Sequence, residues 1–225
     1  MIRILHRTPN WIAVDKPAGA LVIPGRAEHD RASLREQVAE QLGQPVWVVH
    51  RLDRDTSGVL LFALDAPAHR ALSTAFEAGR IGKLYWALVH GRISRPLELE
   101  WSLAKARQGR MRVARAEESG KPARTLVRPI ETFREATWIE AQPLTGRTHQ
   151  IRVHLAEAGH PLLVDPSYAR SMLEQGSKFI SRTPLHAARL SIRGIPGVED
   201  QEIESAMPSD MQEALRRLTS VRDRH

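Results

Sequence analysis

Hydrophobic positions along this chain switch repeatedly between two spacings. Leu34, Val38 and Leu42 recur every four residues, behind Ser33 and ahead of Gly43, which predicts a helix over 33–42. Pro67–Ala78 carries a second helical pattern closed by Gly79. Arg147–Ala158 puts Ile151, Leu155 and Ala158 on one face and stops at Gly159–His160–Pro161. A last helix is expected over Asp210–Leu218, capped by Ser209. Elsewhere the apolar residues form runs of strand length. Trp11–Asp15 ends in the turn signal KPAG, and Val46–Val49 and Val59–Leu64 flank a polar segment. Lys83–His90 is apolar on both faces and reads as a central strand. Arg124–Phe133 and Ala136–Ala141 read as a hairpin, and Leu190–Ile192 as a further strand. Strands interspersed with helices, without a regular βαβ period, predict an α+β fold on a mixed, mostly antiparallel sheet.

The 225 residues suffice to bury roughly 70% of the unfolded surface without a covalent or metal staple, and a single domain over 1–225 is expected. The absence of cysteine excludes disulfides, thiolate zinc sites, iron–sulfur clusters and cysteine nucleophiles. The longest apolar run, Val59–Leu64, falls far short of the roughly 20 residues that span a membrane. The start, MIRILHRTPNWIAVDKP, has no apolar signal core, so a cytoplasmic location is expected.

Charge changes the picture in one place. The chain carries 33 Lys+Arg against 26 Asp+Glu, a modest net +7. Between Ser102 and Arg134, however, nine basic residues face three acids, so that segment alone carries +6. Its centre, KARQGRMRVARAEESGKPAR, is polar with Gly and Pro and reads as a strand–loop–strand excursion, a basic hairpin over about 102–128. Such a hairpin is either a solvated face or an arm that contacts phosphates.

Two segments concentrate chemistry. His50–Gly58, HRLDRDTSG, lies between two apolar strands, where catalytic groups are usually held. Arg51 and Arg54 beside Asp53 favour its ionised form, so at neutral pH it would act as an anionic nucleophile or base. The plain alternative is a turn built by Asp, Thr, Ser and Gly58. The second segment, Thr145–Leu155, opens a helix with Arg147, His149, Gln150, Arg152 and His154. One arginine could pair bidentately with a buried carboxylate. His149 and His154 are five apart, about 140° around a helix, which does not suit a shared metal. No HExxH, Walker A or GxGxxG pattern occurs, and HRLD matches the kinase HRD only superficially. Tyr85 on the Lys83–His90 strand is either a core residue or a stacking platform for a base.

Taken together, HRLDRDTSG, KLYWALV and GRTHQIRVHLAEAGHPLL, with VDKPAG before them and DPSYA and PLHAARLSI after, resemble the RluA-type pseudouridine synthases over about Ile4–Ile192. The chain is similar to the catalytic-domain-only members, without an S4-type RNA-binding appendage. The resemblance implies the pseudouridine synthase fold, with an active-site cleft across the sheet. It implies base flipping and isomerisation of uridine to pseudouridine in a tRNA or rRNA stem-loop, with no cofactor and no metal. It assigns the essential carboxylate to Asp53, its arginine partner to Arg152, the residue packing on the target base to Tyr85, and the side chain filling the vacated space to Arg51. His50, Arg54, Thr56, Arg147, His149 and Gln150 are expected to contact RNA, as are Lys105, Arg107, Arg110 and Arg112 of the basic hairpin; Leu52 and Leu190 are expected to line the pocket. The chain departs from the family's G-D-P-x-Y-G pattern, with Val164 and Ala169 in place of the two glycines. A monomer is expected. Two other readings remain: a catalytically silent RNA-binding protein on the same scaffold, and a metal-dependent phosphoesterase using His and Asp.

Overall fold

A computed structural model describes residues 1–24 and 33–222. In chain order its elements are β1 (Ile4–Arg7), β2 (Trp11–Lys16), α1 (Leu34–Leu42), β3 (Trp47–Val48), β4 (Ser57–Ala63), α2 (Ala66–Glu77) and β5 (Gly82–His90). There follow β6 (Leu97–Glu100), β7 (Leu103–Lys105), β8 (Met111–Val113), β9 (Arg124–Thr132), β10 (Ala136–Pro143), α3 (Gln150–Glu157), α4 (Leu173–Ser177), β11 (Leu185–Ile192), β12 (Gln201–Glu204) and α5 (Ser209–Arg222). The chain forms two compact units, one of residues 1–83 and 187–206, the other of 84–186 and 207–225. The pairs β1–β2, β2–β4, β3–β4, β5–β10, β9–β10, β6–β9, β11–β12 and β7–β8 are antiparallel. The class is α+β, as the alternation of periods predicts.

In the first unit β2 lies between β1 and β4, with β11 on the other side of β4 and β12 beyond it. β4 is buried at all seven positions, as expected of an apolar run walled in on both sides. Its core joins Trp11, Ala13, Leu61 and Ala63 to Leu72 and Ala75 of α2 and to Leu190, Ile192 and Ile203. Local chemistry ends the helices, at α1 as predicted. Ser33 and Glu36 form a capping box on α1, and Gly43 closes it in the left-handed region at φ 68°. Asp65 caps α2, its carboxylate accepting from the Ala68 amide at 2.7 Å.

In the second unit the strand order is β5, β10, β9, β6. Ile151 and Leu155 of α3 pack on Ala87, Val127, Ile139 and Ala141 of this sheet, while Met211, Ala214 and Leu218 of α5 join Leu88 and Phe133 in a separate cluster. The basic segment is the excursion expected from its composition. β7 and β8 pair as a two-stranded ribbon, anchored through Leu103, whose backbone exchanges hydrogen bonds with Lys121.

Two readings of pattern differ from the structure. β5 is well buried only toward its C-terminal end; Lys83, Tyr85 and Trp86 are half-exposed, so its first half is not walled on both faces. Helix α3 starts at Gln150 rather than Arg147, because His149 takes a left-handed conformation (φ 54°), the one non-glycine residue to do so among those described.

Candidate active site and nucleic-acid interface

The Asp53 loop belongs to the first unit and is held from three directions. The Thr56 amide donates to the Asp53 carbonyl at 3.2 Å, closing a turn over Arg54 and Asp55. The ammonium of Lys16, a fully buried residue, donates to the carbonyls of Pro17, Arg54 and Thr56 at 3.0, 2.7 and 2.8 Å. Arg54 clasps the KPAG turn: the Gly19 amide donates to its carbonyl at 2.9 Å and its Nε donates to Gly19 O at 3.2 Å. At the loop's end Gly58 has φ 111° and lies so close to Ala187 that a Cβ there would collide with that residue's backbone. Asp53 is half-buried in this frame, Leu52 is buried, and Arg51 and Arg54 are exposed. Lys16 is the contributor that sequence reasoning missed.

His50 proves to be an anchor. Its Nε2 accepts from the Leu61 amide at 3.1 Å and its ring stacks on Phe76 at 4.1 Å. Burial, with nearby Lys83 adding to it, pushes its pKa from 6.5 down to about 3. A neutral imidazole turned inward offers no cation to a phosphate. Thr56 is buried at 2% exposure and serves the turn through its amide. Leu190 sits at 1% exposure in the core against α2.

The second unit gathers Tyr85, Arg147, His149, Gln150, Arg152 and the basic hairpin. Arg152 forms a bidentate ion pair, with Asp165. Its Nε and Nη2 donate to Oδ2 and Oδ1 of Asp165, each at 2.8 Å, with both side chains nearly excluded from solvent. Asp165, a carboxylate the sequence did not single out, also accepts the Ser167 and Tyr168 amides on Oδ1 at 2.9 and 3.2 Å. The DPSYA turn is therefore closed without the two glycines, and Val164 packs into the α5 cluster. The Tyr168 ring lies beneath the Arg152 guanidinium, 5.1 Å from its carbon. Tyr85 faces Ala141 across β5 and β10 and packs, partly buried, on the α3 cluster.

Gln150 bolts the start of α3 to β9. Its Nε2 donates to Arg124 O and Thr125 Oγ1, both at 3.0 Å, and its Oε1 accepts from Arg147 N and Thr145 Oγ1 at 3.0 and 2.7 Å. His154, fully buried, bonds Thr125 Oγ1 at 3.0 Å and Trp101 O at 3.1 Å; burial lowers its pKa. Arg147 bonds Pro122 O through Nε at 3.1 Å.

On the hairpin, Lys105, Arg107 and Arg110 are exposed and, among the described residues, sit in no ion pair. Arg112 instead forms a two-pronged pair with Glu118 at 2.6 and 2.8 Å, which holds that carboxylate's pKa low. Arg124 pairs with Glu98, and Arg128 with Glu140. The positive field thus concentrates at the ribbon's tip, and Arg112 belongs to it less than its sequence neighbours do. No group of three or more His, Asp or Glu side chains among the described residues could hold a metal ion, and no helix among them is long and apolar enough to cross a membrane.

Comparisons with known proteins bear on this arrangement. A family model described as RNA pseudouridylate synthase matches residues 10–157. The chain is 38% identical to an uncharacterized RNA pseudouridine synthase of Chloroflexus aurantiacus, over 91% of this chain and 65% of that protein. It is 35% identical to ribosomal large subunit pseudouridine synthase D of Zymomonas mobilis, over 94% of this chain and 71% of that one. It is 36% identical to tRNA pseudouridine synthase C of Salmonella typhimurium, over 85% and 80%. The chain thus spans just under two-thirds of the Chloroflexus protein. In fold it matches human RNA pseudouridylate synthase domain containing 4, with a TM-score of 0.77, 24% identity and 96% and 93% of the two chains covered.

Proposed function

Since the chain belongs to the RNA pseudouridylate synthase family, we propose that it isomerises uridine to pseudouridine in a stem-loop of transfer or ribosomal RNA. The reaction breaks the N1–C1′ glycosidic bond, turns the uracil and joins C5 to C1′. The C5 proton is lost and N1 gains one, so the atoms balance without a co-reactant. Asp53 supplies the carboxylate, as nucleophile at the sugar or as base at C2′. The observation that carries this reading is the fixed Asp53 turn, whose backbone is held by the buried Lys16 ammonium; a reacting group needs such a frame. Arg152, already oriented by Asp165, is the arginine assigned as the partner of Asp53, and Tyr85 is the ring assigned to the target base. Arg51 fills the space left by the flipped nucleotide.

RNA affinity comes from the cations left exposed. Lys105, Arg107 and Arg110 on the hairpin, with Arg54 and Arg147, meet phosphates and help offset the few kcal/mol that extrusion of a base costs. The protein works as a cytoplasmic monomer, without metal or cofactor.

The test is site-resolved pseudouridine mapping of transfer and ribosomal RNA from cells with and without the protein, complemented by the unaltered chain or by Asp53→Asn. One or a few pseudouridines should vanish and return only with the unaltered protein. Asn keeps the shape of the side chain but cannot serve as a carboxylate. Restoration by pure Asp53→Asn protein would remove Asp53 from its role. No change at any site, with RNA binding intact, would favour a silent RNA-binding protein on this scaffold.

A further inference from the structure

Tyr168 stands where three parts of the second unit meet. Its hydroxyl accepts from the Met111 amide at 2.9 Å, and Met111 opens β8 of the basic ribbon. The same hydroxyl lies 2.8 Å from His149 Nδ1, with the two rings edge to face at 5.7 Å. Its ring supports the Arg152 guanidinium at 5.1 Å, and its backbone amide donates to Asp165, the carboxylate that grips Arg152. Packing follows the same lines: Tyr168, Met111 and Val113 lie against Leu103 of β7 and Val153 of α3. The hydroxyl thus makes two hydrogen bonds, accepting from Met111 N–H and sharing one with His149 Nδ1. The left-handed backbone of His149 belongs to the same joint, since side chains rarely adopt that conformation unless their surroundings hold them there.

We propose that Tyr168 is a positioning residue that couples the basic ribbon to Arg152, so that seating the ribbon on RNA and aligning the arginine are one event. The proposal rests on the reading of the chain as an RNA-modifying enzyme. The hydroxyl fixes the ribbon and the ring fixes the guanidinium. Exposed cations that grip a backbone are useful only when their base is fixed relative to the chemistry, and here one side chain supplies the fixture.

Tyr168→Phe separates the two duties, because it removes the hydroxyl and keeps the ring. Loss of one ordinary hydrogen bond changes an equilibrium about two- to tenfold. Three readouts apply to the full-length protein: amide hydrogen exchange at Met111, binding of unfractionated transfer RNA at fixed salt, and KM against kcat on the mapped substrate. Exchange at Met111 should speed up, RNA binding should weaken by that factor, and KM should rise by more than kcat falls. Tyr168→Leu, which also withdraws the ring, should add a fall in kcat. The decisive arm repeats Tyr168→Phe with Lys105, Arg107 and Arg110 all changed to Ala. If the hydroxyl acts through the ribbon, its effect on RNA binding disappears in that background. An effect of equal size in both backgrounds, or unchanged Met111 exchange, would overturn the coupling. Coupled exchange and binding effects in a protein that forms no pseudouridine would sink the catalytic reading and leave the joint standing.

Discussion

Replacing Lys16 with Met keeps the length of a fully buried side chain and removes its charge and donors. Three carbonyls lose a charged partner: Pro17, Arg54 and Thr56, at 3.0, 2.7 and 2.8 Å. A hydrogen bond from a charged group contributes about 1.5–3 kcal/mol, and a buried carbonyl left without a partner costs about 1–3 kcal/mol. Against this stands the release of a buried ammonium from its desolvation penalty, several kcal/mol in the folded state. With Thr56 O deprived of its charged donor and Arg54 O keeping only the Gly19 amide, a net loss of about 2–4 kcal/mol is expected. For a chain of this size that lowers Tm by roughly 4–16 °C, at about 2–4 °C per kcal/mol. Activity should fall further than stability explains, because the same two carbonyls bracket Asp55 in the turn that presents Asp53. A displacement of about 1 Å at a reacting group can cost 100-fold in rate. The assay is thermal unfolding of the purified variant beside its turnover on mapped RNA, at a temperature where both proteins are folded. A Tm within 1 °C of the unaltered protein, with turnover intact, would refute the claim that Lys16 frames the loop.

Other outcomes follow from the same geometry. Arg152→Ala strands Asp165 at 1% exposure, and breaking such a buried pair costs about 3–5 kcal/mol; the two amides still donating to Asp165 place the loss at the lower end, readable by urea denaturation. His50, His90 and His154 all have pKa values lowered chiefly by burial, so the unfolded chain binds more protons than the folded one. The stability they hold is full above 6.5, their ordinary value, and is lost as pH falls, for His50 over the range down to about 3; a flat Tm between pH 7 and pH 5 would contradict their buried, neutral state. Changing Lys105, Arg107 and Arg110 to Gln should weaken RNA binding and reduce the slope of log affinity against log salt by about 2–3; an unchanged slope would show that the ribbon's tip does not meet phosphate.

What the sequence discloses here is what is local. Ser33, Glu36 and Gly43 carry the capping information of α1 within eleven residues, and the fold honours it. The Asp53 segment is legible because its polar types stand between two apolar strands. Long-range partnerships are not legible in the same way. The carboxylate on Arg152 comes from Asp165, in an irregular turn that no periodicity marks. Lys16 left one trace, its alternation with Ile12 and Val14 on one face of β2, all three fully buried; the following KPAG made it look like part of an exposed turn. Nothing in the sequence marks Gln150 and His50 as residues that bond the backbone, because polar residues in such segments usually face solvent. Their ring and amide atoms are instead spent on backbone groups. The edge strands β1, β6 and β12, of four residues each, were too short and polar to register as elements.

The first unit closes late. Ser205 donates to Asp15 at 2.8 Å across 190 residues of chain, and its amide reaches Ala188. All of residues 84–186 are therefore synthesised before β11 and β12 can join β1, β2 and β4. Until then β4, with its apolar sequence SGVLLFA, lacks the neighbour that covers one edge. An uncharged, proline-free segment of that length is the kind that templates intermolecular strands. On the ribosome the nascent chain passes through a stage in which its best core strand is also its most aggregation-prone edge. Yield in cells should therefore depend on elongation rate and on chaperones that shield extended apolar segments, well before the stability of the finished protein becomes limiting.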